Sequence, residues 1–452
     1  MKKRLGKLLC LIVALSLMLS LGACAQKSNT GTATEKSDAA TVKEATDTAT
    51  SELKEEPKKN VTLRIYTYYA DNSKITFDRA VETMKEKMPN VTIQLEQRMD
   101  ADETKLKTFA AVGNMPDIFE SWGSVIRTFQ KSGDILVLDE ALQRYKFLDQ
   151  VIDSVKPTLY DADGHSYAIN TTPPQNALIY YNGKVFEENG IKVPANYDEF
   201  LAAVKAFKQE GIIPLALFAQ EKWPGVQFFD SLVTRYEPKG YLGIEKKTTT
   251  INDASYKKAA DKLTELVKAG LTSKSAFSTN ASQAFELFKT GKAAMIINGT
   301  WYLADCAQYG DHIGYLDNPL CEAGQEEATR WNRCGGNSIG DMSVAAKGQN
   351  VDIATEACIQ FVIERRKASV TLLGEPNTLI EDVKPDKPRA VIQEKFANEL
   401  SKIASTTCFP WMLENNEFKT ALEENVEKLI AGSYSSEDFI KDMDAIIKEN
   451  IK

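Results

Sequence analysis

The sequence predicts a mixed α/β protein with two lobes. Segments with the alternating pattern of strands and segments with helical spacing follow one another along most of the chain. Of the 452 residues, about 390 remain after a polar N-terminal region is set aside, which is enough for two lobes of ordinary domain size. The sequence shows no repeat of 20–50 residues, which argues against a solenoid.

The first residues have the pattern of a secretory signal. Basic residues at Lys2–Arg4 precede an apolar run over 8–21, which is shorter than the roughly 20 apolar residues of a membrane span. The run ends in Leu21-Gly-Ala-Cys24, which resembles the bacterial lipobox. That resemblance implies cleavage before Cys24 and lipidation of its thiol, so residues 1–23 are expected to be a signal peptide.

Residues 24–60 are expected to be a lipid-anchored, disordered tether. Between Ala25 and Asn60, only Val42 and Leu53 are sizeable apolar residues, and charges of both signs are mixed. Such a segment cannot bury enough apolar surface to offset the entropy lost on ordering. The folded domain is therefore expected over 61–452.

The folded region opens with a β-α-β pattern. A strand is expected at 61–68, a helix with apolar residues spaced over 77–88, and a second strand at 91–96. This order implies parallel strands in a covered sheet. A helix at 103–112 and strands at 116–119 and 136–139 follow.

The same alternation continues to the C-terminus. Asp163-Gly164 predicts a hairpin turn between 158–160 and 166–169, and Asn196 with Glu199 predicts the start of a helix. Further strands are expected at 178–182, 212–218 and 293–297, and further helices at 184–189 and 256–267. The last hundred residues read as mostly helical, with a break at Gly432.

Composition excludes several classes of function. The net charge of −8 argues against a nucleic-acid binder, and the only two histidines come with no hydrolase, zinc-protease or phosphate-loop motif, so neither an enzyme nor a cofactor is expected. Five cysteines remain after Cys10 and Cys24, and the pair Cys321 and Cys334 could form a local disulfide. A metal site is not expected, because these cysteines lack the usual paired spacing.

Four motifs occur in a fixed order along the folded region. They are Gly113-Asn-Met-Pro-Asp-Ile-Phe, the stretch from Tyr180 to Phe200, Phe288-Lys-Thr-Gly-Lys-Ala-Ala-Met with Trp301, and Leu429-Ile-Ala-Gly with Ser435-Ser-Glu. Together they resemble the extracellular solute-binding proteins of ABC importers, the family that includes maltose-binding protein. The resemblance implies the two-lobed periplasmic-binding-protein fold of type II, closing at a hinge over a ligand. It places lobe one at about 61–168 and 297–343, and lobe two at about 175–292 and 344–452.

Sugar recognition uses aromatic faces and fixed polar groups, and the loops that the resemblance places at the cleft carry both. The aromatic candidates are all five tryptophans: Trp122, Trp223, Trp301, Trp331 and Trp411. The remaining candidates are Tyr68, Asp71, Glu120, Ser124, Gln175, Asn176, Gly336 and Asn337.

The resemblance and the tryptophans favour a carbohydrate-binding lipoprotein. It would act as a monomer on the outer face of the cell membrane and deliver a sugar or oligosaccharide to an ABC transporter permease. Two alternatives stay open. The solute could be a polyamine, an iron chelate or a peptide, or the chain could present its ligand to a membrane sensor kinase.

Overall fold

The structure is a computed structural model that describes residues 59–69, 73–98, 104–336 and 339–451. The signal peptide, the lipidated Cys24 and the tether therefore lie outside the described residues, as do Asp71 and Asn337. Pro57–Lys452 form one compact unit. None of the helices in the described ranges combines the length and apolarity that a membrane crossing needs.

The secondary structure confirms the mixed α/β class. The strands are β1 Val61–Thr67, β2 Val91–Gln97, β3 Ile118–Glu120, β4 Gln175–Asn182, β5 Ile213–Ala216, β6 Ala293–Gly299, β7 Ile313–Tyr315, β8 Asn332–Arg333, β9 Gly335–Gly336, β10 Met342–Val344 and β11 Ser405–Thr406. The helices are α1 Ser73–Lys87, α2 Thr104–Ala111, α3 Gly123–Ser132, α4 Asp139–Arg144, α5 Gly183–Glu188, α6 Tyr197–Gln209, α7 Trp223–Val233, α8 Gly240–Glu245, α9 Ala254–Ala269, α10 Ala281–Lys289, α11 Leu303–Ala307, α12 Val351–Leu373, α13 Val391–Glu399, α14 Asn416–Ile430 and α15 Ser436–Asn450. Short 3-10 helices include Lys156–Leu159, Thr300–Tyr302 and Pro410–Met412.

The strands form two main sheets. In the first, the order is β10-β3-β1-β2, with β1, β2 and β3 parallel and β10 antiparallel. In the second, the order is β5-β6-β4-β7, with β5 and β6 parallel and β4 antiparallel to β6. Each sheet buries its own apolar cluster, led by residues such as Ile65 and Ile118 in the first and Leu215 and Met295 in the second. Burying each such side chain contributes roughly 1.5–3 kcal/mol, so each sheet supports its own lobe.

Two segments run side by side between the sheets. Ile169 bridges Met342 near the first sheet, and Gln175 pairs with Gly336 at the start of β4 near the second. A third connection runs from the end of α12 to α13. The described ranges therefore show three connections between the lobes, and hinge motions occur in connections of this kind.

The lobe ranges expected from the resemblance differ from the packing in two places. The segment from 297 to 336, expected in lobe one, lies in lobe two, because β6 and β7 both pair with β4. The long helix α12, expected in lobe two, belongs to lobe one, because Ala357, Phe361 and Val362 pack into the first apolar cluster. After β4, the described chain returns to lobe one with β10 and α12 and continues there as far as Val383.

Two local expectations were wrong. The segment before Asp163-Gly164 is a 3-10 helix, since Pro157 lacks an N–H and favours the first turn of a helix over a strand. The turn itself is present, with the Gly164 N–H donating to the Asp161 carbonyl. In the described chain no strand forms at 136–139: the isolated bridge from Ile135 to Ala345 precedes this stretch, and α4 begins at Asp139.

Helix ends follow their sequence signals closely. The side chain of Asn196 accepts from the N–H of Glu199 at 3.1 Å, so the predicted cap of α6 is confirmed. Its reciprocal partner differs, because Glu199 accepts from the N–H of Ala195 instead of Asn196. Gly432, at φ 73°, separates α14 from α15, whose first turn is capped by Ser435.

Candidate functional site

The carboxyl edge of the first sheet carries a small polar and aromatic group. Tyr68 follows β1, Arg98 follows β2, and Glu120 ends β3, so parallel topology brings the three together. Oε2 of Glu120 accepts from the Tyr68 N–H at 2.7 Å, from Oγ1 of Thr67 at 3.1 Å and from Nε of Arg98 at 3.2 Å. Glu120 thus fixes the start of the loop after β1 and the position of Arg98.

Arg98 lies between two rings at this edge. Its guanidinium carbon is 5.8 Å from the ring centroid of Tyr68 and 5.1 Å from that of Trp122. Contacts of this kind contribute about 0.5–1 kcal/mol at exposed sites. Trp122 is half-buried and immediately precedes α3, and Ser124 lies in the first turn of that helix.

The carboxyl edge of the second sheet carries a cluster of four aromatic residues, which we call the aromatic wall: Trp223, Trp301, Phe409 and Trp411. Trp223 starts α7 after β5, Trp301 follows β6, and the other two lie at the 3-10 helix Pro410–Met412. The three tryptophans are half-buried, whereas Phe409 is fully buried. The wall therefore offers indole surface to solvent on a rigid backing.

The rings of the aromatic wall support one another. Phe409 and Trp411 are stacked almost parallel, with centroids 4.6 Å apart and an interplanar angle of 5°. Trp301 lies 5.3 Å from Phe409, and Trp223 meets Trp411 edge-on at 5.5 Å. Nε1 of Trp223 donates to Oε2 of Glu221 at 3.1 Å, which fixes the indole in its plane.

Glycine is needed beneath Trp301. A Cβ on Gly299 would lie 2.2 Å from ring atoms of Trp301, so the indole packs directly over the backbone at the end of β6. The motif Asn298-Gly299-Thr300-Trp301 therefore positions a tryptophan at the strand end, as the sequence predicted.

A buried polar network holds the backbone behind the aromatic wall. Oδ1 of Asp230 accepts from the N–H of Tyr241 at 3.0 Å, and Oδ2 accepts from the hydroxyl of Thr407. The same Thr407 oxygen accepts from the N–H of Gly335 at 3.2 Å. Burial raises the pKa of Asp230 to about 7. The network ties α7, the segment before Phe409 and the crossing strand β9 together.

The two sheet edges meet across the molecule. Nη2 of Arg127, on α3, donates to the carbonyl oxygen of Leu413 at 2.7 Å. A Cβ on Gly123 would lie 3.4 Å from the Met412 side chain. The helix that starts after Trp122 therefore touches the segment that carries Trp411, and the polar group of lobe one faces the aromatic wall of lobe two.

The predicted site residues that the structure describes lie in different parts of the molecule. Trp223, Trp301 and Trp411 converge on one wall, while Tyr68, Glu120, Trp122 and Ser124 share the opposite edge. Trp331 lies apart from the wall, with the Arg330 guanidinium 4.9 Å from its ring centroid. Gln175, half-buried, and Gly336 pair at the crossing between the lobes.

Asn176 differs from its expected role. It is fully buried, and its amide donates to the carbonyl oxygen of Cys334 at 3.4 Å. In this conformation it binds the crossing strand to the neighbouring segment and presents no surface to a solute. Its backbone N–H donates to Oγ1 of Thr300, which connects it to the loop of Trp301.

Two residues of the site were missed at the sequence level. Arg98 follows a parallel strand, just as Tyr68 does, so the rule that selected Tyr68 would have selected it too. Phe409 stands beside Pro410-Trp411, but its stacking depends on the 3-10 turn, which sequence spacing does not specify.

The five cysteines, Cys306, Cys321, Cys334, Cys358 and Cys408, are all buried and unpaired, so the disulfide considered for two of them is not formed. Within the described ranges, no group of three or more His, Cys, Asp or Glu is arranged to hold a metal ion.

Comparison with known proteins places the chain in a family. Residues 70–362 match the family model described as bacterial extracellular solute-binding protein. The chain belongs to this family. The expected resemblance is thereby confirmed.

Relatives and solved structures agree with the family. A probable sugar-binding periplasmic protein of Brucella suis is 22% identical over 350 residues, covering 76% of this chain and 81% of the relative. The melibiose/raffinose/stachyose-binding protein MelE of Bacillus subtilis is 22% identical over 59% of this chain and 63% of its own length. A solved structure from a study of xylan utilization by Caldanaerobius polysaccharolyticus has a TM-score of 0.74 at 22% identity, covering 85% of this chain and 99% of that one. The shared fold is the two-lobed one of maltose-binding-protein-like receptors.

Proposed function

We propose that this solute-binding protein captures a sugar or oligosaccharide between its two sheet edges and delivers it to the permease of an ABC importer. The observation that carries the proposal is the aromatic wall facing a polar edge. Flat indoles stack on the apolar C–H faces of a pyranose ring. The opposite edge offers the carboxylate of Glu120 and, through Tyr68 and Ser124, hydroxyl groups for a sugar's own hydroxyls.

The aromatic wall and the already paired Glu120 carboxylate opposite it favour a neutral solute with flat ring faces. A polyamine would need several carboxylates boxed by aromatic residues, but Glu120 is already paired with Arg98. The names of the relatives, a sugar-binding periplasmic protein and a melibiose/raffinose/stachyose-binding protein, support the same class. We therefore infer a carbohydrate, and we infer that the chain binds it without transforming it.

The experiment is a thermal-shift panel on the mature chain. Mono- and oligosaccharides, polyamines and short peptides are each added in excess, and a true ligand at about 100 times its Kd stabilises the folded state by about 2.7 kcal/mol. We expect a sugar to raise the Tm and Trp301→Ala to abolish the response. A response to a polyamine or a peptide with none to any sugar would overturn the proposed substrate class.

We also propose that a lipid on Cys24 holds the chain as a monomer at the outer face of the membrane. The lipobox-like sequence supports this, and two or more acyl chains would give stable anchoring. Cys24→Ala should release the protein into the medium, whereas Cys10→Ala, a change within the signal peptide, should leave it in the membrane fraction. Retention of the Cys24→Ala variant in that fraction would contradict the anchor.

A further inference from the structure

A cavity of about 40 Å³ lies in lobe two, directly behind the aromatic wall. Strand β4 forms one side through Ala177, and Cys334 forms another; both residues also pack against the wall from behind. The polar side chains that line it are Ser231, Arg235, Asp317, Asn318 and Arg333, in addition to the Cys334 thiol. A cavity needs only about 10–15 Å³ to admit a water molecule, so this one has room for a larger monatomic species.

Arg235 brings a desolvated positive charge to this cavity. Its Nη1 donates to the Thr329 carbonyl at 2.9 Å and to Oδ1 of Asn318, and its Nη2 donates to Oγ1 of Thr234 at 3.0 Å and to the carbonyl of Asn332. All four acceptors are neutral, and in the described part of the chain no carboxylate lies within ion-pair distance of this guanidinium. Its Nε has no hydrogen-bond partner among the described residues.

Burial lowers the pKa of Arg235 to about 10, although part of its side chain stays exposed. The positive charge of Arg333 acts in the same direction. Two guanidiniums that repel each other across a cavity are unfavourable unless a negative charge lies between them.

Arg333 is compensated only in part. Its Nη2 pairs with Oε2 of Glu399 at 3.0 Å, but its Nε has no hydrogen-bond partner in the described ranges. Glu399 is shared with Arg330, at 3.3 Å. Asp317 pairs with Arg330 at 3.2 Å and with Lys395 at 2.6 Å. Glu399 and Asp317 therefore serve two cations each, and Arg330 also pairs with Glu327 at 3.1 Å.

The charges do not balance around the cavity. The four cations Arg235, Arg330, Arg333 and Lys395 face three carboxylates, those of Asp317, Glu327 and Glu399. Asp230 also attracts Arg235, but its pKa of about 7 means that it is charged only in part at neutral pH. The adjacent thiol of Cys334 supplies no charge, because burial raises its pKa to about 12.

We propose that this cavity is a binding site for a small monovalent anion of the halide class, held between the Nε–H groups of Arg235 and Arg333. The Ser231 hydroxyl and the Cys334 thiol line the same space, but the hydroxyl donates to the carbonyl oxygen of Gln227 at 2.8 Å, so the donors to the anion are the two Nε–H groups. The bound anion joins the segment after α7 to β8, and so stiffens the backing of the aromatic wall. This inference is independent of which solute the cleft takes.

The test is the Tm of the mature chain in sodium chloride against sodium gluconate at constant ionic strength. We expect a saturable rise of about 3 °C with chloride, from binding to the folded state alone. Arg235→Gln should lose this chloride dependence. The matched control is Arg64→Gln, because Arg64 pairs with Glu96 in lobe one and lines no part of the cavity. Its Tm should fall while the chloride dependence stays.

A second experiment does not need the Arg235→Gln variant to fold. Crystals of the unaltered chain are soaked in bromide. We expect an anomalous difference peak inside the cavity, in contact with both guanidiniums. Absence of that peak, or a Tm that does not distinguish chloride from gluconate, would overturn the proposal and assign the space to water.

Discussion

Gly299→Ala tests whether the position of one indole decides solute binding. Gly299 has φ −78° and ψ 168°, which any residue adopts, so alanine introduces no backbone strain. Its Cβ would lie 2.2 Å from the Trp301 ring, and an ordinary contact of 3.4 Å requires the ring to move by about 1.2 Å. The substitution therefore acts almost entirely by displacing Trp301 from the aromatic wall.

Two magnitudes follow from this geometry. Overpacking of this kind typically costs about 1–3 kcal/mol of stability, so the Tm should fall by a few degrees. Losing a central aromatic contact typically costs about 2 kcal/mol or more of binding free energy, which corresponds to an affinity about 30-fold weaker. Calorimetric titration with the sugar identified in the thermal-shift panel measures the second effect.

Gly314→Ala is the matched control. Its Cβ would lie 2.6 Å from the ring of Tyr181, so it produces a similar clash with an aromatic side chain in the same sheet, away from the aromatic wall. We expect a lower Tm and an unchanged affinity. Unchanged affinity in Gly299→Ala as well would refute the assignment of Trp301 to the solute.

Three further substitutions test the buried carboxyl behind the aromatic wall, the contact between the lobes and the polar edge. Asp230→Asn removes a buried carboxyl whose pKa rises from about 3.9 in the unfolded chain to about 7, so its charged form destabilises the fold. The free energy of unfolding of the variant should therefore rise above that of the unaltered chain between pH 4 and pH 7. Denaturant titrations should show a difference of about 4 kcal/mol above pH 8. No difference at pH 8 would contradict this. Arg127→Ala removes a charge-assisted hydrogen bond to the Leu413 carbonyl that joins the lobes and contributes about 1.5–3 kcal/mol. Calorimetry should show a solute affinity weaker by tenfold or more. An unaltered Kd would show that this contact plays no part in closure. Glu120→Gln weakens the acceptor that positions Arg98 and should reduce affinity while the Tm changes by no more than a few degrees; full affinity would remove Glu120 from the site.

The sequence predicted local structure well because the relevant signals are local. The strands around Ile65 and Met295 and the cap at Asn196 depend on neighbouring residues, and they occur as expected. The lobe that holds α12 could not be predicted, because helical spacing shows that a face is buried but not which sheet covers it. At Pro157 the local signal was present but was not used. The proline favours the first turn of a helix, whereas the strand was predicted from the turn at Asp163-Gly164 that follows.

The site was predictable to the extent that it follows from topology. Tyr68, Glu120 and Trp301 were selected because ligands collect at strand ends, and Arg98 could have been selected by the same rule. The stacking of Phe409 on Trp411 and the cavity at Arg235 depend on contacts between segments far apart in the chain, which spacing along the sequence does not specify.

The most direct measurement is a crystal structure of the mature chain with the sugar that gives the largest thermal shift. We expect a sugar ring stacked on the exposed indoles of Trp301 or Trp411, with a hydroxyl hydrogen-bonded to the edge that carries Glu120 and Tyr68. A sugar bound elsewhere, or contacting only one of the two sheet edges, would contradict it.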